Sequence, residues 1–174
     1  MVASLKNRGP APVHLWDPPF CGDIDMMIKR DGTWVHEGKP IRRMAMVQLF
    51  ASVLKREAED YFLVTPVEKV GIQVEDCPFL IVEMDVEHEQ GRQVLRFSTN
   101  TGETVIAGSE HALKITECGA NNEPHPTIHV RGSMPGLLSR AVFYRLVELA
   151  ELQPNAHDQS LGVFSNGVFF PLSE

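Results

Sequence analysis

Asp23 and Asp25 stand two residues apart in a stretch where polar and apolar residues alternate. On a strand that spacing puts both carboxylates on one face, roughly 7 Å apart, a separation glycosidases use for their acid and base. Such chemistry also needs a deep cleft and one carboxyl kept protonated, and the neighbouring residues signal neither. A solvated strand face is the simpler reading, and Glu83, Asp85 and Glu87 repeat it. The seven histidines are scattered; His125 and His129, four apart, would share a strand face but sit too far apart for one metal. No H-E-x-x-H, G-x-S-x-G, Walker-A or G-x-G-x-x-G pattern occurs. Cys21, Cys77 and Cys118 are odd in number and widely spaced, with no C-x-x-C pair. They argue against a zinc ribbon or a disulfide framework and for a reducing, cytoplasmic setting. No catalytic residue, metal ligand or cofactor is assigned.

The cations and rings say more. Arg42 and Arg43 sit where a helix should begin, although positive charge there opposes the helix dipole. Glu37, another carboxylate or a bound anion would offset it. Arg131 precedes a second helical stretch in the same way, and Arg140 and Tyr144 follow at a spacing that shares one helix face. Trp34 follows a tight turn, as a core plug or a stacking surface for a ring. The candidate ligand-binding residues are Arg43, Lys69, Arg131, Arg140 and Tyr144, with Trp34 as the stacker. They are expected to line a groove between two halves of the chain, where pockets often form.

The elements that must position them follow from periodicity. At 174 residues the chain needs no metal or disulfide staple, and 43% apolar residues is a globular value. Net charge is −7 with no long Lys/Arg run, which argues against a nucleic-acid partner. Neither a signal peptide nor an eighteen-residue apolar span is present, which argues against a membrane. Pro10, Pro12, Pro18 and Pro19 make residues 1–22 an extended arm, pinned by Trp16 and Phe20. Ile24, Met26 and Ile28 alternate with polar neighbours up to an Asp31-Gly32 turn, which predicts a hairpin returning at Thr33, Trp34 and Val35. Met46, Val47, Phe50, Val53 and Leu54 predict a helix over 42–56. Alternation over 61–117 predicts several strands, followed by a loop over 117–126 and a strand over 127–130. Ser133 and Pro135 predict the start of a second helix, with Leu138, Val142, Leu146 and Leu149 as its buried stripe. Asn166-Gly167 between apolar runs predicts a closing hairpin. The fold class is therefore α+β. It is read as two structurally repeated units of antiparallel strands plus one main helix each, over 23–78 and 79–174.

Several runs also resemble a known family. They are Cys21-Gly22-Asp23-Ile24-Asp25-Met26, Asp31-Gly32-Thr33-Trp34, Leu49-Phe50-Ala51-Ser52-Val53-Leu54, Val64-Thr65-Pro66-Val67-Glu68-Lys69, Val74-Glu75-Asp76-Cys77-Pro78-Phe79 and the stretch from Gly162 to Pro171. Together they resemble the bacterial family with the domain of unknown function numbered 1285, over nearly the whole chain. The resemblance implies repeated strand–helix units and a pleckstrin-homology-like roll in the second half. It also implies a ligand site between the halves, for a nucleotide-like molecule, and a role in signalling. The functional expectation is a non-enzymatic ligand-binding regulatory protein for an anionic small molecule. The alternatives are a hydrolase using Asp23 or Asp25 with a histidine, or a protein-interaction module. Unpaired sheet edges would suit a homodimer.

Overall fold

The computed structural model describes residues 9–153 and 160–173. The chain divides into two compact units, Met1–Pro78 and Phe79–Glu174. The predicted arm is less extended than expected. It contains a 3-10 turn at Val13–Leu15, and Phe20 already opens the first strand.

The first unit holds β1 (Phe20–Ile28), β2 (Trp34–His36), β3 (Lys39–Pro40), α1 (Met44–Ser52), β4 (Leu54–Glu57), β5 (Asp60–Val64) and β6 (Lys69–Val74). They form one six-stranded sheet in the order β3-β2-β1-β6-β5-β4. Asp31 supports the predicted first turn through its Oδ1, which accepts from the Thr33 amide at 2.9 Å. A second tight turn, Glu37-Gly38, has positive φ at both positions (49° and 77°), as a two-residue hairpin loop requires. One face of the sheet carries Met26, Ile28, Leu63 and Ile72, all buried, together with Trp34. Val47 and Ala51 of α1 are buried with them, and Phe50 of α1 stacks on Trp34 at 6.2 Å between ring centroids.

The helix expected over 42–56 is a correction. It ends at Ser52, the chain breaks helical geometry at Val53 (φ −108°, ψ 9°), and Lys55 and Arg56 lie in β4 instead of a last helical turn. Leu54 pairs with Leu63 across the sheet, and the Val64 amide donates to the Val53 carbonyl at 2.9 Å. Pairing with β5 outweighs a helical preference that Val53 supports only weakly.

The second unit holds β7 (Phe79–Glu89), β8 (Arg92–Thr99), β9 (Thr104–Ile106), β10 (Leu113–Cys118), β11 (Glu123–Arg131), β12 (Met134–Leu138), α2 (Arg140–Glu148), β13 (Glu151–Leu152), β14 (Leu161–Ser165) and β15 (Val168–Pro171). Its main sheet runs β10-β11-β12-β7-β8-β9, and β13-β14-β15 form a small second sheet. Two predictions are corrected here. The loop expected over 117–126 shrinks to residues 119–122, because Glu123–Pro126 pair with β10. Pro124 and Pro126 are tolerated because they lie beyond the β11 residues that pair with β12. Ser133 does not cap a helix, since Met134–Leu138 is a strand between β11 and β7. The cap is Ser139, whose Oγ accepts from the Val142 amide at 3.3 Å. Val142 and Leu146 are buried, as expected of the stripe.

The two main sheets share one topology. In each, the first three strands form a meander, the last three form another, and the first and last strands pair in parallel, β1 with β6 and β7 with β12. The repeat is therefore not purely antiparallel. The helices break it too: α1 links the two meanders of its unit, whereas α2 follows the sixth strand of the other. Among the described residues no helix is long and apolar enough to cross a membrane.

Candidate functional site

The sheet of the first unit has a second face, opposite α1. Lys55, Phe62, Gly71 and Asp23 occupy one cross-strand row on β4, β5, β6 and β1, so they point the same way. Phe20, Lys69 and Val64 form the next row. Phe20 and Asp23 are three apart and would lie on opposite faces of a regular strand. The register slips between them, and Gly22 takes up the slip with φ +102°, a conformation other residues resist. Both side chains therefore come over Gly71. A Cβ there would sit 2.0 Å from Asp23 Oδ1 and 3.7 Å from the Phe20 ring.

Two ammonium groups converge on this floor. Lys69 Nζ passes 4.8 Å from the centre of the Phe62 ring and reaches Glu57 Oε2 at 3.0 Å. Lys55 Nζ lies 3.2 Å from Glu57 Oε1 and also donates to the Trp16 carbonyl at 3.2 Å. Phe20 meets Phe62 edge-to-face at 5.9 Å and remains 54% exposed. The site thus joins two cations sharing one carboxylate to an accessible aromatic surface, with Asp23 alongside.

The hydrogen bond from Lys69 holds the Glu57 carboxyl below its ordinary value of 4.5; burial opposes this and Lys55 adds to it. A folded value below the unfolded one stabilises the fold above about 4.5, and the contribution is lost as pH falls through the folded value. The carboxylate is 36% exposed, so solvent screens the effect. Glu57→Gln should therefore melt somewhat below the wild type at neutral pH, with the gap closing on acidification below 4.5. A gap in melting temperature that stays constant into strong acid would contradict this account.

The predicted ligand residues are distributed as follows. Trp34 is 1% exposed and belongs to the core face, so as a ligand stacker it is corrected to a core plug. Arg43 is exposed at the N-cap of α1, and only Lys69 of the three in this unit lies on the face opposite α1. In the second unit Arg131 lies on β11, with Nε 2.8 Å from Glu103 Oε1 and its guanidinium 5.2 Å from the Phe79 ring centre. It acts there as a clamp within its own sheet and precedes a strand turn instead of a helix. Arg140 and Tyr144 share an exposed face of α2, as their spacing predicts. Asp25 is exposed. His111 and His129 stack at 5.5 Å, and both ring nitrogens of His129 contact backbone carbonyls, of Glu110 and Gly132. Burial, with Asp76 beside it, pushes the Cys77 thiol up to about 12, so it stays protonated.

Sequence reasoning passed over Phe20, Lys55, Glu57, Phe62 and Gly71. The alternation of Lys55 with Glu57, facing that of Phe62 with Val64, was a signal for a shared face. Placing Lys55 in a helix concealed it.

Residues 11–77 match the domain of unknown function (DUF1285), N-terminal domain, and residues 78–172 match the C-terminal domain of the protein of unknown function (DUF1285). Two solved structures are similar. A DUF1285 family protein from Silicibacter pomeroyi DSS-3 is 48% identical, with a TM-score of 0.87 over 98% of this chain and 93% of that one. A DUF1285 family protein from Shewanella baltica OS155 is 32% identical, with a TM-score of 0.56 over 72% of this chain and 91% of that one. No curated protein matches.

Proposed function

The chain belongs to the DUF1285 family, and from that premise we propose that it is a non-enzymatic regulatory protein that binds an anionic small molecule on the face of its first sheet opposite α1. One observation carries the reading: the Lys55 and Lys69 ammoniums share a single carboxylate beside the exposed ring of Phe20. Glu57 takes one hydrogen bond from each ammonium and leaves further N–H donors on both, so an incoming phosphate or carboxylate gains charge-assisted hydrogen bonds there. Phe20 and Phe62 offer a floor for a planar group, which favours a nucleotide-like ligand over a bare anion. Non-catalytic binding is supported by the engagement of both His129 nitrogens with backbone carbonyls and by the protonated Cys77 thiol.

Thermal shift with nucleotides, pyrophosphate and small organic acids tests the proposal. A ligand at a hundred times its dissociation constant adds about 2.7 kcal/mol, a rise of several degrees in a chain of this length. The rise should shrink in Lys69→Gln and vanish in Lys55→Gln/Lys69→Gln. No shift across the panel, or one that the double variant retains, would reject the site.

A signalling role, a pleckstrin-homology-like roll for the second unit and a cytoplasmic setting belong to the same proposal. An up-and-down sheet leading into α2 supports the roll, and the free thiols of Cys21, Cys77 and Cys118 support a reducing compartment. The exposed Arg140, Tyr144 and Val147 on α2 favour a second reading, a protein-interaction surface, since Tyr and Arg dominate interface hot spots. Recovery of one stoichiometric partner by wild type and not by Tyr144→Ala would select it.

A further inference from the structure

The helix α1 buries Val47 and Ala51, yet Met44, Met46 and Leu49 remain 52%, 38% and 51% exposed. A nine-residue helix with apolar residues on both sides is one whose outer side is also meant to be covered. The apolar surface continues past its C-terminal end. A slot of about 270 Å³ opens there, lined by Ile24, Phe50, Val53, Leu63 and Val70, with Glu68 on its rim. Val67 beside it is 78% exposed. Isolated exposed apolar residues mean little, but a contiguous patch marks an interface.

Charge says what covers it. At the N-terminal end of α1 stand Arg42 and Arg43, both exposed. That end has no side-chain cap and no acidic residue in its first turn. Its amides and both guanidiniums therefore favour a carboxylate. At the opposite end Glu68 is exposed, and among the described residues its carboxylate forms no ion pair. The surface is cationic at one end and anionic at the other, with Met46 and Leu49 between them, so it is complementary to itself reversed.

We infer that α1 is the centre of an isologous homodimer interface, in which a second copy of this chain lays its own α1 antiparallel across the first. Two-fold symmetry makes each contact occur twice. The Glu68 carboxylate of each copy meets Arg42 and Arg43 of the other, at the uncapped helix start. Met46 and Leu49 of each copy, about 60° apart around the helix, pack near the axis. Met46 suits such a contact, because methionine adapts to an irregular partner surface. The inference is independent of the anion site, which occupies the other face of the sheet.

Sedimentation velocity of the whole chain tests it. Wild type should be dimeric at micromolar concentration, and Leu49→Asp monomeric with unchanged circular dichroism. Arg43→Glu and Glu68→Arg should each weaken association by about tenfold, because two attractive pairs become repulsive. The double variant Arg43→Glu/Glu68→Arg should recover it, since exchanging both signs restores the complement. Lys69→Gln should leave association unchanged. A monomeric wild type, a dimer indifferent to Leu49→Asp, failure of the double variant to recover, or loss of association in Lys69→Gln would each overturn the interface.

Discussion

Trp34→Ala should lower the stability of the protein by about 3–5 kcal/mol, the cost of emptying a large aromatic site in a core. Trp34 is 1% exposed and pairs with Ile28 across β1 and β2. Phe50 stacks on it with rings 18° from parallel. Phe50 belongs to α1, so the indole is what the helix leans on above the sheet. Shortening it leaves a cavity that a β-strand on one side and a helix on the other cannot both close. Its Nε1, buried and unpaired among the described residues, contributes nothing favourable. Trp34→Phe should therefore cost clearly less than Trp34→Ala, because it removes an unsatisfied donor while keeping most of the ring. Urea denaturation followed by circular dichroism would measure both. Equal losses, or an alanine variant that melts with the wild type, would show that the ring is not the support of α1.

The second large effect is expected at Ser165, fully buried in the closing hairpin. Its Oγ accepts from the Leu95 amide at 2.9 Å and donates to the Ala107 carbonyl at 2.7 Å. Leu95 and Ala107 are themselves fully buried. One hydroxyl thus satisfies two backbone groups of the second unit, on β8 and just after β9. Gln93 Nε2 and the Asn166 amide add bonds of 2.8 and 3.0 Å between the same hairpin and β8. Ser165→Ala leaves a donor and an acceptor without partners in a dry site, at about 1–3 kcal/mol each. The loss should appear as a lower urea midpoint, with hydrogen exchange rising first at Leu95. A change below about 0.5 kcal/mol, the range of ordinary surface substitutions, would mean that water enters or that the hairpin repacks.

Much of the local structure was legible. Asp31-Gly32 and Asn166-Gly167 specify tight turns by their own conformational preferences, and both lie between paired strands. The alternation of Ile24, Met26 and Ile28 marked the face that α1 covers. Helix ends were harder. Ser133 and Ser139 are each followed by apolar residues and are equally good caps by composition. The β12 pairing with β7, more than fifty residues earlier in the chain, decides between them. In the candidate site Lys69 was recognisable as a cation, but its carboxylate partner was not.

Chain chemistry alone determined the turns, the strand faces, the family and the lack of any familiar catalytic constellation, because each depends on neighbours within a few bonds. The tertiary structure decided that β1 lies parallel to β6, that Phe20 and Asp23 meet over Gly71, and that Lys55 and Lys69 share Glu57. It also left one side of α1 without cover. Those outcomes depend on strand register, and register is set by burying one sheet face as a whole, a condition that no short stretch of sequence contains.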